Sequence, residues 1–159
     1  MPVIRPEAAL GFLLGALVIR ILLIEDDPLR IALFRKWTPE DVRLVVAPSP
    51  GKAVGILQRD RGKVYAGILL DHDLQDQVIT QSDRYLSGSD ITRVILRNIS
   101  RQVSILVHSM NISRAPEMVS NLEAGGFDVC RIPMSVLTRE GFLDWVEDVC
   151  DLWEGYEEG

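Results

Sequence analysis

The chain has 159 residues, 47% of them hydrophobic and 25% charged, and a formal net charge of -6. That length suits one compact core, and those proportions exclude a disordered or fibrous chain. The acidic balance argues against a broad surface for duplex DNA, yet it permits a small phosphorylated substrate held through a metal ion.

Ala8 to Ile24 is almost entirely apolar, but Arg20 divides the run and neither half is long enough to span a bilayer. No small-residue cleavage site precedes Ile21, so a cytoplasmic chain is expected rather than a secreted one. Residues 1–19 read as an N-terminal extension and residues 20–155 as a single domain. Cys130 and Cys150 lack metal-ligand spacing and are expected as buried free thiols.

From Arg20, the apolar run Ile21-Leu22-Leu23-Ile24 breaks into Glu25-Asp26-Asp27, the mark of a buried strand that delivers acids to the edge of a sheet. Asp27 can cap a helix that has Pro28 at its first position, where the missing N–H is not needed. Leu29, Ile31, Leu33 and Phe34 are the expected buried stripe of that helix as far as Trp37. Val42 to Ala47 reads as a second strand, and Pro48 to Gly51 as a turn leading into a helix with Ala53, Val54, Ile56 and Leu57 inside.

Val64 to Leu70 is the third strand, and it too ends in acids, Asp71-His72-Asp73. The order βαβαβ implies parallel pairing with right-handed crossovers. Gln75 to Ser89 is longer than an ordinary connection and leaves the same edge as the acids, so it reads as a lid or a substrate-reading loop. Ser87, Ser89 or Asp90 starts a helix over Ile91 to Ile99, and Val103 to Val107 forms a fourth strand ending in His108-Ser109-Met110-Asn111. A helix over Ser113 to Ala124 stops at Gly125-Gly126, a fifth strand covers Phe127 to Ile132, and Pro133 ends it. The last helix runs from Leu137 to Trp153 with Phe142, Val146, Val149 and Trp153 on its inner face. The whole is an α/β fold: a three-layer, doubly wound, parallel five-stranded sheet.

Two acid-tipped strands side by side would gather Glu25, Asp26 and Asp71 into one pocket. Carboxylates that close need a counterion, and Mg²⁺ is the natural one for hard oxygen ligands. Asp73 could add its side chain or only its backbone carbonyl. Asp27 is assigned to the helix cap, but an acid directly after a buried strand, such as Asp71, needs a partner. His108 reads either as a strand-end cap or as a general acid, base or hydrogen-bond donor toward a phosphoryl group. Ser109 and Asn111 are polar neighbours of the same edge, without a nucleophile-elbow motif. Arg131 and Arg30 each read as a phosphate anchor or as a surface residue. Strand alternation is expected to turn His72 away from the pocket.

Over residues 20 to 153 this pattern resembles the receiver domain of two-component response regulators: Glu25-Asp26 after the first strand, Leu69-Leu70-Asp71 ending the third, and a Pro after the fifth. The resemblance implies a flavodoxin-like strand order 2-1-3-4-5, Mg²⁺ held by the acids, and phosphorylation of Asp71 by a histidine kinase. Typical receivers have Thr or Ser where this chain has His108, and Lys where it has Ile132. With Ser87-Gly88-Ser89-Asp90 and His108-Ser109-Met110-Asn111, the chain looks like the divergent receivers called cyclic-phosphate-processing domains. That implies a Mg²⁺-dependent enzyme acting on cyclic nucleotides or cyclic phosphate RNA ends. Asp71 and His108 would be catalytic, Glu25, Asp26, Asp71 and Asp73 would hold metal, and Ser109, Asn111 and Arg131 would bind substrate. The alternative is a stand-alone receiver, phosphorylated on Asp71, that signals by contact with a partner protein. A receiver-like module that only binds, and a haloacid-dehalogenase-type phosphatase built on Asp71-His72-Asp73, are the remoter readings; the latter lacks the following Thr and a later Asp-Asp pair.

Overall fold

Ile21 to Ile24, Ile68 to Leu70 and Ile105 to Val107 are all inaccessible to solvent. Side chains buried on both faces are what a central parallel strand requires, and these runs supply the middle of the sheet. The computed structural model describes residues 18–74 and 86–157, with the side chains of 156 and 157 left aside. The strands are β1 (Ile19–Ile24), β2 (Val42–Ala47), β3 (Gly67–Leu70), β4 (Ser104–Val107) and β5 (Val129–Arg131). They are all parallel, in the order β2-β1-β3-β4-β5. The helices are α1 (Pro28–Trp37), α2 (Pro50–Arg59), α3 (Gly88–Asn98), α4 (Arg114–Ala124) and α5 (Arg139–Glu157). No helix among the described residues is long and apolar enough to cross a membrane.

Strand alternation splits the core in two. Leu22, Ile24, Ile68, Leu70, Ile105 and Val107 pack with Ala53 and Leu57 of α2, Ile91 and Ile95 of α3, and Met118 and Leu122 of α4. Ile21, Leu23, Leu69 and Leu106 pack instead with Phe34 of α1 and with Phe142, Trp145, Val146 and Val149 of α5. The register pairs Ile24 with Leu70, Leu70 with Val107, and Val107 with Arg131. The next residue on each strand, Glu25, Asp71, His108 and Ile132, therefore stands in one row at the carboxyl edge. By alternation that row belongs to the α1–α5 face.

The local signals explain most boundaries. Asp27 caps α1 by accepting the Leu29 N–H at 2.9 Å, with Pro28 in the first turn. Ser49 caps α2 through the Lys52 N–H, and Asp90 reaches back to the Ser87 N–H at 2.8 Å to start α3. Several expectations shift. Leu29, assigned to the buried stripe of α1, is 81% exposed, because the second helical position after the cap faces out from the sheet. The third strand is ladder-paired only from Gly67, and the fifth only over Val129–Arg131, where the chain runs along a free edge. Cys130 is a free thiol as expected but exposed, since among the described residues β5 has a neighbour on one side only; Cys150 is half-buried. The expected extension lies outside the described residues except at its end, where Ile19 already pairs with Val42. Most of the expected long loop, residues 75–85, also lies outside them.

Gly67 marks a close approach between sheet and helix. A Cβ there would lie 2.7 Å from Cη2 of Trp145 and 3.3 Å from Val149. Gly67→Ala is expected to cost about 1–3 kcal/mol by overpacking, read as a lower urea midpoint at unchanged slope. A variant as stable as the parent would mean that α5 is not seated against β3 as described.

Candidate functional site

The four-residue row brings Glu25 and Asp71 together from adjacent strands, with His108 beside them. All three are buried: Glu25 and His108 are 0% exposed and Asp71 1%. One ligand atom from each lies within 4.8 Å of the other two. Glu25 is tightly held. Its Oε1 accepts the N–H groups of Asp26 (3.1 Å) and Asp27 (3.0 Å), and its Oε2 lies 2.7 Å from His108 Nε2. Asp71 is held on one side only. Its Oδ1 accepts the His72 N–H at 2.8 Å and the Asp73 N–H at 3.4 Å, whereas Oδ2 is buried with no hydrogen-bond partner among the described residues.

Burial is the first influence on the charges, and for Asp71 the neighbouring Glu25 is the second. The Asp71 carboxyl is pushed up to about 6, mainly by burial and then by Glu25. Burial likewise raises Glu25. The His108 imidazole is lowered to about 4 by its burial, so it is neutral at physiological pH. A neutral ring beside a carboxylate donates from Nε2, which leaves Nδ1 a bare acceptor. Nδ1 indeed has no partner, and the ring stands edge-on to Phe34, 5.1 Å between centroids.

Arg30, on the first turn of α1, places its guanidinium Nη1 3.8 Å from Glu25 Oε2 and 3.7 Å from Asp71 Oδ2. Sequence reasoning left this residue ambiguous. The available signal is its place three residues after the cap Asp27, where a helix that starts at the sheet edge turns a long side chain back over the acids.

The remaining candidates have other positions. Asp26 is 3% exposed and its side chain helps lower the Glu25 pKa. Asp73 is exposed, with Oδ1 accepting from Asn111 Nδ2 at 3.2 Å and lying 3.3 Å from His72 Nδ1. Asn111 Oδ1 accepts the N–H groups of Ser113 and Arg114 and so opens α4. Ser109 is inaccessible, and its Oγ accepts the Asn111 N–H at 3.2 Å. Ser109 Oγ and Asn111 Oδ1 thus serve the turn after β4, while Asn111 Nδ2 ties that turn to Asp73. Arg131 pairs in register with Val107 and alternates to the α4 side with Val129, away from the acid row; its Nε is buried without a partner. Ile132 packs in the α1–α5 core. His72 turns aside as expected, with its ring so close to Gly88 that a Cβ there would meet Cδ2 at 2.6 Å.

The donor set suits a divalent cation. Two buried carboxylates with an orphaned Asp71 Oδ2 are short of positive charge, and hard oxygens are what Mg²⁺ takes. Asp26 and Asp73 flank them in the chain, and the one nitrogen of the group, His108 Nε2, already bonds Glu25.

No family model matches this sequence, and no curated protein does. Solved structures match its fold. The signal receiver domain of a Luxo repressor protein from Vibrio parahaemolyticus is 19% identical, with a TM-score of 0.63 over 90% of this chain and 99% of its own. A CheY-like response regulator receiver domain from Methanospirillum hungatei is 16% identical, with a TM-score of 0.65 over 90% of this chain and 100% of its own. The receiver domain of a sensor histidine kinase from Pseudomonas aeruginosa, 21% identical with a TM-score of 0.58 over 85% of this chain and 99% of its own, is described with magnesium coordinated in its active-site cleft. The fold is thus the flavodoxin-like fold of CheY-like receivers, with strand order 2-1-3-4-5.

A carboxyl raised from 3.8 to about 6 binds its proton more tightly in the folded state than in the unfolded one. Its stabilising effect is complete below the ordinary carboxylate value and is lost as pH rises through about 6. Asp71→Asn is therefore expected to match the parent near pH 4 and to exceed it by about 1–3 kcal/mol above pH 7, both in the presence of a chelator. Denaturant melts across that pH range check this; a variant no more stable than the parent at pH 7.5 contradicts it.

Proposed function

We propose that this chain is a phosphoryl-accepting, receiver-type module, with Asp71 as the acceptor and a divalent cation, Mg²⁺ first among candidates, held by Glu25, Asp26 and Asp71. The observation that carries this reading is the asymmetry of Asp71: Oδ1 is tethered by two backbone N–H groups while the buried Oδ2 has no hydrogen bond. A carboxylate fixed through one oxygen presents the other in a defined direction, which is what attack on phosphorus needs.

In the reaction, ionised Asp71 attacks a phosphodonor through Oδ2. The bond from phosphorus to the leaving group breaks, the leaving group departs with the electron pair and takes a proton from solvent, and an acyl phosphate remains on Asp71. When bound, the cation supplies neutralisation of charge on the phosphoryl oxygens. Glu25, fixed through three hydrogen bonds, keeps its carboxylate in place beside the acceptor.

Output by protein contact fits the rim of the site. Leu29, Ile112 and Val136 are 81%, 87% and 65% exposed, and each stands in a segment that leaves the carboxyl edge after β1, β4 or β5. An apolar rim of this kind suits a protein phosphodonor or partner.

Processing of cyclic phosphates is the second reading, favoured by the proximity of His108 to both acids. It asks more of the site, because the His108 ring is inaccessible and its Nε2 is engaged by Glu25. To protonate a leaving oxygen or activate water, His108 would have to leave that bond.

Incubation with acetyl phosphate and Mg²⁺, followed by intact-mass measurement, is expected to add one phosphoryl group to the parent and none to Asp71→Asn. Equal modification of both, or none of either, contradicts the proposal. Turnover of 2′,3′-cyclic phosphates, abolished by His108→Ala, would instead establish the second reading.

A further inference from the structure

Among the described residues, Arg30 is the cation that faces both buried acids. Its Nη1 is almost equidistant from Glu25 Oε2 (3.8 Å) and Asp71 Oδ2 (3.7 Å), and its Nε is 3.7 Å from Asp27 Oδ2. None of these distances is a hydrogen bond. The guanidinium therefore balances charge without committing its fork of donors. It is also 31% exposed, whereas Glu25 and Asp71 are sealed, so it stands at the mouth of the site. On the opposite side of the row, β5 offers no charge: Ile132 is packed in the core, and Arg131 alternates to the other face. An anion arriving at Asp71 Oδ2 would meet Arg30 first.

We infer that Arg30 is the oxyanion clamp of this site, turning from the acids onto a tetrahedral phosphoryl group seated against Asp71. A planar fork of uncommitted N–H groups is preset to contact two phosphoryl oxygens in parallel, whereas an ammonium is a point charge without that fixed geometry. Released from Glu25, Arg30 would leave that carboxylate to the His108 bond and to the cation. The inference rests on the phosphoryl-accepting reading and names the residue that recognises the anion. A residue that only offsets the acids would compete with the metal and do nothing for the anion, and that difference makes the roles separable.

The experiment is titration of the full chain with beryllofluoride, a phosphoryl mimic, at saturating Mg²⁺, followed by intrinsic Trp fluorescence, with Mg²⁺ alone titrated in parallel. Arg30→Ala and Arg30→Gln are expected to weaken beryllofluoride binding by about tenfold or more. Arg30→Lys should recover only part of it, and Mg²⁺ affinity should hold or rise in all three. Thermal melts of each variant confirm folding, and the Lys and Gln variants keep the bulk of the side chain should Ala unfold. If beryllofluoride binds the parent and all variants alike, the clamp is overturned while the receiver reading stands. If beryllofluoride does not bind the parent at all, the receiver reading fails and the clamp with it.

Discussion

Two carboxylates buried side by side at the ends of β1 and β3 are the constraint from which the rest of this site follows. Parallel pairing with Ile24 opposite Leu70 leaves no choice about where Glu25 and Asp71 stand. Burial raises the cost of ionising both acids, Glu25 adds to it for Asp71, and the Asp71 carboxyl moves up to about 6. The protein offsets part of that cost with two backbone N–H groups on each acid, a neutral imidazole on Glu25 and one loosely set guanidinium. It leaves one oxygen, Asp71 Oδ2, with no hydrogen bond. A buried carboxylate oxygen left so costs stability that a bound cation would recover, which is why this oxygen, rather than the acid count, points to function.

His108 gives this site its particular character. A side chain at the end of β4 on the α1–α5 face must fit against Phe34, and an imidazole does so with its ring edge-on. Its bond to Glu25 fixes the acid from above while the Asp26 and Asp27 N–H groups fix it from its own chain. Burial keeps the ring neutral, so it holds Glu25 as a dipole and adds no charge to the pocket. Positive charge enters from α1 instead, through Arg30, because the position that follows β5 is apolar Ile132.

The architecture was legible in the sequence because its signals are local. Apolar runs ending in acids, Pro28 after Asp27 and the pair Gly125-Gly126 each name an element or its boundary, and the alternation of strands and helices names the sheet. The grouping of Glu25 and Asp71 was legible for the same reason. What stayed hidden depends on contacts between elements distant in the chain. The His108–Glu25 bond joins residues 83 apart, and nothing in either local pattern announces it. Arg131 carried the same promise as Arg30 on paper, and strand register alone separates them: one residue of offset turns a β5 side chain to the α4 face. Ser109 and Asn111 read as substrate groups because they are polar at the right edge; in the fold Ser109 Oγ and Asn111 Oδ1 accept N–H groups of the turn into α4, and Asn111 Nδ2 reaches across to Asp73. Leu29 was misplaced by helical spacing, which gives the period of a stripe but not its phase.

The claim at the centre is that the paired acids form a cation site, and the most direct measurement is the melting temperature of the parent protein as Mg²⁺ is titrated at two pH values. At pH 7.5, where Asp71 is ionised, the midpoint should climb steadily with Mg²⁺ concentration, as a ligand that binds only the folded state requires. At pH 5, where protons occupy the site, the same titration should have little effect. A midpoint that is insensitive to Mg²⁺ at both pH values would contradict the claim.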